Sequence, residues 1–510
     1  MPRKLVTYDD WGYGDFGLGA SWRAPKGSFS GQNVTVYRNG SIGPHAEPKL
    51  IPLTGLPAGP VWWLASNRRT RALATVGLGD PLSVVRFDPT ITGSQAVAAL
   101  TGAWPAFSAG GQSFNDGVLT YAAPEGAALQ VLDTDALTVA PIAGAPLPFA
   151  GALARYGDRA VAGDIQPNRL RFSAAANFSS WPAANFIDIP SSGQAVRGLF
   201  PLRSALLIAI GGGTGGTGTG TTNSDVTEWW LITGTLGANE VLRKVSNFSA
   251  PVGARTAELV AEDRVAFIDP LLGVPAWFNG STGGRDSLIR PSASWVPGPF
   301  GVVVGLREGR DVAMLVGSVI DAAGPAVLRR RDAWTRHVPA VAFSAHATVV
   351  RRDDVLVLAR GTAGAPEFWW WSASPERPSF TSDAFAGIPS AATVRFDLPE
   401  WWADKADEEV AVRQVTVGMR AFATGDASPA ALTVTVTPMR AYDAAAAPAQ
   451  SLSFSEAAAG FTAAGSDIRR AFRFSTDFGQ GFRLGFSGIR GVALQWAKVV
   501  LEAFPGRGVG

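Results

Sequence analysis

Apolar and polar positions alternate through most of this chain in short runs, each opened by a polar turn. The signature recurs at nearly even intervals: Arg69-Thr70-Arg71-Ala72-Leu73, Asn115-Asp116-Gly117-Val118-Leu119, Gly157-Asp158-Arg159-Ala160-Val161, Arg203-Ser204-Ala205-Leu206-Leu207, Glu262-Asp263-Arg264-Val265-Ala266, Arg310-Asp311-Val312-Ala313-Met314 and Asp353-Asp354-Val355-Leu356-Val357. With residues 70, 116, 158, 204, 263, 311 and 354 as markers, the steps are 46, 42, 46, 59, 48 and 43. The long step holds the glycine–threonine tract Gly211 to Thr222, and without that insertion it matches the others. A repeat of about 40–50 residues in strand-type sequence predicts a β-propeller, one four-stranded blade per repeat. Seven copies predict seven blades.

Three strands carry adjacent tryptophans: Val61-Trp62-Trp63-Leu64, Glu228-Trp229-Trp230-Leu231 and Phe368-Trp369-Trp370-Trp371. Neighbouring side chains on a strand point to opposite faces, so such pairs need cover on both sides of their sheet. A blade held between two blades provides that cover; sugar stacking on an open face is the other use of exposed tryptophans.

The period divides the chain. Residues 1–59 are rich in glycine and aromatics without a period and are expected to form an N-terminal arm that packs on a neighbour or closes the ring. Residues 60–390 carry the repeats. Residues 391–510 show longer alternating strands, such as Val410 to Val417, Leu432 to Val436 and Gly491 to Leu501, and are expected to form a jelly-roll-like β-sandwich. The fold class is therefore all-β. Gly 59, Pro 35 and Trp 17 in 510 residues agree with a turn-rich β protein of more than one domain. Asp407-Glu408-Glu409 reads as a solvated connection.

A formal charge of +2 predicts no binding to nucleic acid or anionic membranes by bulk electrostatics. Cys 0 removes disulfides, thiolate metal sites and cysteine nucleophiles. The first residues, Met1 to Asp10, hold no apolar stretch of signal-peptide length, and no run approaches the ~20 apolar residues of a membrane helix. Synthesis in the cytoplasm and no membrane insertion are expected. Triplets such as Asn177-Phe178-Ser179 are then not glycosylation sites.

Chemistry is tested motif by motif. Gly211-x-Gly213-x-x-Gly216 follows the apolar run Leu206 to Ile210, as a dinucleotide fingerprint would. That fingerprint needs a helix N-terminus next, and Thr217-Gly218-Thr219-Gly220-Thr221-Thr222 is a poor helix former, so a loop between strands is expected. Ser475-Thr476-Asp477-Phe478-Gly479-Gln480-Gly481-Phe482 fits the loose Asp-box pattern once, outside the repeats, and reads as an Asp turn in a hairpin. His45, His337 and His346 lack metal-site spacing, and no Gly-x-Ser-x-Gly elbow is present. A glycosidase carboxylate pair in the channel stays open. The run Arg329-Arg330-Arg331-Asp332-Ala333-Trp334-Thr335-Arg336-His337 reads as a solvated hairpin, with a DNA-lined channel or an acidic partner as its other uses. No catalytic, cofactor-binding or metal-binding residue is assigned, and no cofactor is expected.

Two stretches carry a resemblance. Phe29-Ser30-Gly31-Gln32-Asn33-Val34-Thr35-Val36-Tyr37-Arg38-Asn39-Gly40-Ser41-Ile42-Gly43-Pro44 resembles the amino-terminal segment of minor tail proteins of tailed bacteriophages, especially those of GC-rich actinobacteria. Asn168-Arg169-Leu170-Arg171-Phe172-Ser173, with Ser180-Trp181-Pro182 and Asn185-Phe186-Ile187-Asp188-Ile189, resembles a blade motif of those proteins and of podophage tail-hub and nozzle propellers. The second motif also has a plain structural account, as a strand crossing the blade followed by a turn whose Trp181 caps the core. The separate terminal sandwich departs from the hub and nozzle pattern and favours the distal tail.

The resemblance implies a non-enzymatic virion protein of the tail or tail tip. It would assemble with other phage tail proteins, as a homo-oligomer in a symmetric ring, and contribute to host attachment through a cell-wall glycan. DNA contact is expected only if the channel is the ejection path. The alternatives are a propeller-type carbohydrate-active enzyme or lectin with a carbohydrate-binding sandwich, and a bacterial scaffold for protein partners.

Overall fold

The computed structural model describes residues 3–9, 14–15, 28–37, 40–45, 47–67, 71–79, 81–89, 91–105, 110–148, 151–191, 195–211, 226–246, 258–260, 264–269, 274–285, 302–305, 312–316, 326–331, 333–337, 345–348, 355–360, 364–372, 394–404, 408–421, 430–440, 448–456 and 467–505. Their regular structure is all strand, without a helix.

Seven four-stranded antiparallel sheets occupy the repeat region among these residues. Sheet one contains Val61–Ser66, Ala72–Val76, Ser83–Phe87 and Ala98–Ala99; sheet two Gly110–Asp116, Leu119–Pro124, Gln130–Asp133 and Thr138–Pro141; sheet three Leu153–Tyr156, Arg159–Gly163, Arg169–Phe172 and Phe186–Asp188. Sheet four contains Ala195–Leu202, Ala205–Gly211, Val226–Thr233 and Val241–Ser246; sheet five Glu258–Val260, Arg264–Asp269, Val274–Phe278 and Gly283–Arg285; sheet six Val302–Gly305, Val312–Val316, Ala326–Arg331 and Ala333–His337. Sheet seven takes Ala345–Thr348, Val355–Arg360 and Glu367–Ser372 from the end of the region and its fourth strand, Lys49–Leu50, from near the amino terminus. Six of the seven turn markers of the sequence fall between the first and second strands of one sheet, and Asp116 ends the first strand of sheet two.

The first strands lie side by side in the cycle one to seven, and the first strand of sheet seven returns to that of sheet one. This cyclic order of four-stranded meanders is a β-propeller. Side chains fill the spaces between sheets. Ala205–Gly211 is buried at every residue. Leu206, Ile208 and Ile210 join Val161, Leu170 and Phe172 of sheet three, while Leu207 and Ala209 join Val265 and Phe278 of sheet five. The period of two thus sends alternate residues into different cores, which is why such a strand reads as one continuous apolar run.

The tryptophan pairs follow the same rule with one exception. Trp229 packs toward sheet five and Trp230 toward sheet three. Trp370 is buried against sheet one, and Trp371 lies 5.1 Å from the His45 ring. In sheet one, a bulge between Val61 and Trp63 breaks the alternation. Trp63 stacks on Trp104 at 5.1 Å, and Trp62, half-buried, packs on that same core and donates its indole N–H to the Gly77 carbonyl.

Two larger sheets complete the structure. Sheet eight orders Val34–Val36, Ile42–Pro44, Val492–Pro505, Glu408–Ala421 and Asp467–Arg473, with Arg3–Tyr8 also on Val492–Pro505. Sheet nine orders Gly14–Asp15, Ser28–Gln32, Arg395–Asp397, Gly481–Arg490, Ala430–Met439 and Gln450–Glu456, with Trp401–Trp402 on Gly481–Arg490. They share one core, which includes Phe29, Val34, Phe396, Val417, Val434, Phe486 and Val499. Strict alternation of buried and half-buried residues along Ala430–Met439 marks its inward row.

Residues 1–59, expected as an arm, contribute strands to sheets seven, eight and nine, and Leu53–Thr54 pairs in parallel with Gln95–Ala96. Most of these strands are two to five residues long, too short to display a period. Glu408 and Glu409, expected on a connection, open the long strand Glu408–Ala421. Lys4 neutralises Glu408 there at 2.7 Å.

Candidate functional site

One side chain ties the inner strands of three neighbouring sheets. A bulge lies between Gly110 and Ser113 in the first strand of sheet two, and such irregularities re-aim side chains. Gln112, inside that irregularity, accepts the Leu153 N–H of sheet three at 3.2 Å and the Leu199 N–H of sheet four at 2.9 Å. Its amide nitrogen donates to the Leu199 carbonyl at 2.8 Å. One carboxamide therefore fastens three inner strands. Close approach makes this possible: a Cβ on Gly111 would sit 2.1 Å from the Gly151 carbonyl oxygen, and Gly151 itself has φ +64°.

Sheet four carries its own bulge, between Val196 and Gly198, just before Leu199. Arg197 occupies it. Burial pulls its guanidinium below the usual arginine range, and the charge of Glu125, at the end of the second strand of sheet two, opposes that shift. The carboxamide, the backbone groups and the Arg197–Glu125 charge couple hold the inner strands in place.

A second polar network fastens sheets one and two. Buried Asn67 donates to the Thr134 hydroxyl at 3.0 Å, and that hydroxyl donates to the Val118 carbonyl at 3.0 Å. Arg71 donates to the Thr134 carbonyl at 3.0 Å and to the Asp135 carboxylate at 2.7 Å. Arg86 bonds the same Thr134 carbonyl. Asn115 donates to the Ser66 carbonyl at 2.8 Å. Interior polar groups cost little once each is paired, and here the pairs fix the register between sheets.

The segment Asn168 to Ile189 is structural throughout. Asn168 adopts φ +64° at the head of its strand and donates to the Ser191 carbonyl at 2.6 Å. Arg169 grips Asp188 with two bonds of 2.7 and 3.0 Å and lies 4.1 Å from the centre of the Phe186 ring. Ser173 accepts the Ala160 N–H at 3.0 Å. Trp181 donates to the Phe178 carbonyl at 2.9 Å and is buried between sheets two and three.

The remaining motifs resolve individually. Ser475 to Gln480 joins Asp467–Arg473 of sheet eight to Gly481–Arg490 of sheet nine, so it is a crossover between sheets and not the expected hairpin. Thr476 is buried and accepts the Val412 N–H at 2.9 Å, which explains the turn without an Asp-box role; Asp477 is exposed. His45 is 3% exposed beside Trp371, on the seam between sheet seven and the terminal sheets. His337 and His346 stand on strands of sheets six and seven, with side chains outside the described residues. The basic run 329–337 forms a paired hairpin backbone, Arg329↔Thr335 and Arg330↔Trp334, and its side chains also lie outside the described residues. So do residues 212–225 of the glycine tract; the strands flanking it pair Ile208↔Trp230. Among the described residues no three His, Asp or Glu side chains gather to hold a metal.

Gln112, Asn67 and Thr134 were not singled out from sequence. Their one local signal is the Gly110-Gly111 pair before Gln112, which marks close backbone approach without naming its partner.

No protein-family model matches this chain, and no curated protein matches it. Solved structures do. YCF48 bound to D1 peptide aligns with TM-score 0.41 and 12% identity, over 64% of this chain and 96% of that one. A chain of the mitotic checkpoint complex aligns with TM-score 0.40 and 11% identity, over 61% and 89%. BamB from Moraxella catarrhalis aligns with TM-score 0.36 and 12% identity, over 73% and 98%. Likeness at this level identifies neither partner nor activity, and the propeller rests on the sheet order and shared cores described above. The tail-protein resemblance of the sequence finds no counterpart in these comparisons.

Proposed function

We propose that this chain is a non-enzymatic structural component of a bacteriophage tail: a seven-bladed propeller carrying a jelly-roll-like terminal sandwich and docking other tail proteins. The observation that carries the reading is how strands far apart in sequence close the sheets. Arg3–Tyr8 runs antiparallel along Val492–Pro505, and Lys49–Leu50 completes the sheet that ends with Glu367–Ser372. Pulling either strand away must break a pairing, which suits a particle component that bears load. The first resembling segment, Phe29 to Pro44, supplies strands to both terminal sheets. The second supplies the Trp181 cap between sheets two and three.

A homo-oligomeric ring of copies follows the general preference for closed symmetry.

The test uses particles from a lysate of the host that carries this gene. After gradient purification, the chain should co-sediment with particles, and an antibody against it should mark one fixed position on tails in negative stain. A chain that stays in the soluble fraction, with unlabelled tails, overturns the proposal.

A further inference from the structure

The outward face of sheet eight carries a feature that neither its core nor its hydrogen-bonded ladder requires. Registers across the sheet set out three adjoining rows. Lys498 lies between Thr7 and Thr416; Val500 lies between Leu5 and Gln414; Trp496 faces Gly418, whose other neighbour is Arg469. Alternation puts these residues on the side opposite Val415, Val417, Ala497 and Val499, which belong to the core. The indole rests on Gly418: a Cβ there would lie 2.2 Å from the ring. An aromatic across from a strand glycine covers exposed backbone, which accounts for Trp496.

It does not account for the cations. The Arg469 guanidinium lies 5.9 Å and the Lys498 ammonium 5.2 Å from the Trp496 ring centre. Arg473 faces Gln414 on the same side, and Arg420 faces Asp467. Among the described residues none of these four cations is in an ion pair. Of the acids on this face, Glu502 pairs with Arg413 at 2.5 Å, Asp467 accepts from Gln495 at 3.0 Å, and exposed Glu409 faces Phe504 at the far end of the strand pair. Arg469, Arg473, Arg420 and Leu5 are exposed, Leu5 by 62%. A half-buried aromatic platform thus stands beside Lys498 and the exposed Arg469 and Arg473, none of them in an ion pair among the described residues.

We propose that this face binds an acidic polysaccharide, the Trp496 indole packing on a sugar ring while Arg469, Lys498 and Arg473 engage carboxylate or phosphate groups along the polymer. Charge complementarity selects an anion. The Gln414 amide and the Thr7 hydroxyl add partners for sugar hydroxyls. A single ring argues against a nucleic-acid strand, which uses a succession of stacking rings along a basic groove. The inference is independent of the tail assignment and holds for this chain wherever it acts.

The experiment titrates the full chain by calorimetry with polygalacturonate, a phosphorylated mannan, neutral dextran and an oligothymidylate. One or both acidic polymers should bind, with affinity falling as salt rises, and the polymer that binds identifies the acid group. Trp496→Ala and the double variant Arg469→Ala/Lys498→Ala should each weaken binding about tenfold or more. Unchanged melting temperatures, expected for these surface positions, would assign the loss to the face itself. Gly418→Val, which displaces the indole while keeping every cation, should reproduce the Trp496→Ala defect. No binding by either acidic polymer, equal binding of dextran, tighter binding of the oligonucleotide, or full affinity in the folded Trp496→Ala variant would each overturn the proposal.

Discussion

Trp229 and Trp230 are covalent neighbours that are buried in different cores. Trp229 lies against sheet five, its ring 4.9 Å from that of Phe278, and Trp230 lies in the core shared with sheet three. A single strand therefore joins three sheets. Replacing either tryptophan by alanine should cost about 3–5 kcal/mol, the usual loss for a large core aromatic. Urea unfolding measures it. A loss below about 1 kcal/mol at either site would mean that one face of sheet four lacks the cover described here.

Gln112 makes a different demand, because its partners are backbone groups. Gln112→Ala would leave the Leu153 and Leu199 N–H groups and the Leu199 carbonyl without that partner. These bonds are part-buried, so each group left unpaired costs up to about 1–3 kcal/mol, the range for a fully buried one. Hydrogen exchange should show the Leu199 amide losing protection before amides of the outer strands of sheet four. Equal protection of Leu199 in both proteins would contradict the bridge.

Glu47 sets a pH dependence. Burial pushes its carboxyl up to about 7 from an ordinary 4.5. The folded protein therefore binds this proton more tightly than the unfolded chain. The stability so contributed is complete below about 4.5 and is lost as pH rises through 7, an amount on the order of 2 kcal/mol. Urea midpoints of the parent chain should fall across that window, and Glu47→Gln should flatten this component of the profile. A parent and variant with parallel profiles would show that Glu47 is not the group responsible.

Ring closure rests on a two-residue strand. Leu50 pairs with Trp369, and Lys49 pairs with Trp370. A chain lacking residues 1–50 would expose that edge together with the edge of Val492–Pro505 covered by Arg3–Tyr8. Unprotected edges recruit other strands. Light scattering should find the truncated chain associated at concentrations where the full chain stays dispersed; a dispersed, cooperatively folding truncation would refute the closure role.

The repeat and its consequence were legible in the sequence for a local reason. Turn residues followed by β-branched runs depend on a few neighbouring positions, so each copy signals its own hairpin. Adjacent tryptophans at 229 and 230 announced cover on both faces because opposite projection is a property of any strand. The same reasoning failed at Trp62, where a bulge removes the alternation, and at Ser475 to Gln480, where the turn carries the chain from one sheet to another.

Sequence alone thus determined the strand class, the spacing of the first hairpins and the two-sided burial of the middle strands, since all three follow from short-range periodicity. Tertiary structure alone decided the rest. It placed Lys49–Leu50 beside a strand more than three hundred residues away, tied the amino-terminal strands into the terminal sheets, and brought Gln112 to Leu199 and Arg469 to Trp496. A two-residue strand has no period, and a lone glutamine or tryptophan carries no mark of its partner. Those positions acquire their roles only when closure of the ring and pairing of distant edges bring the partners within reach.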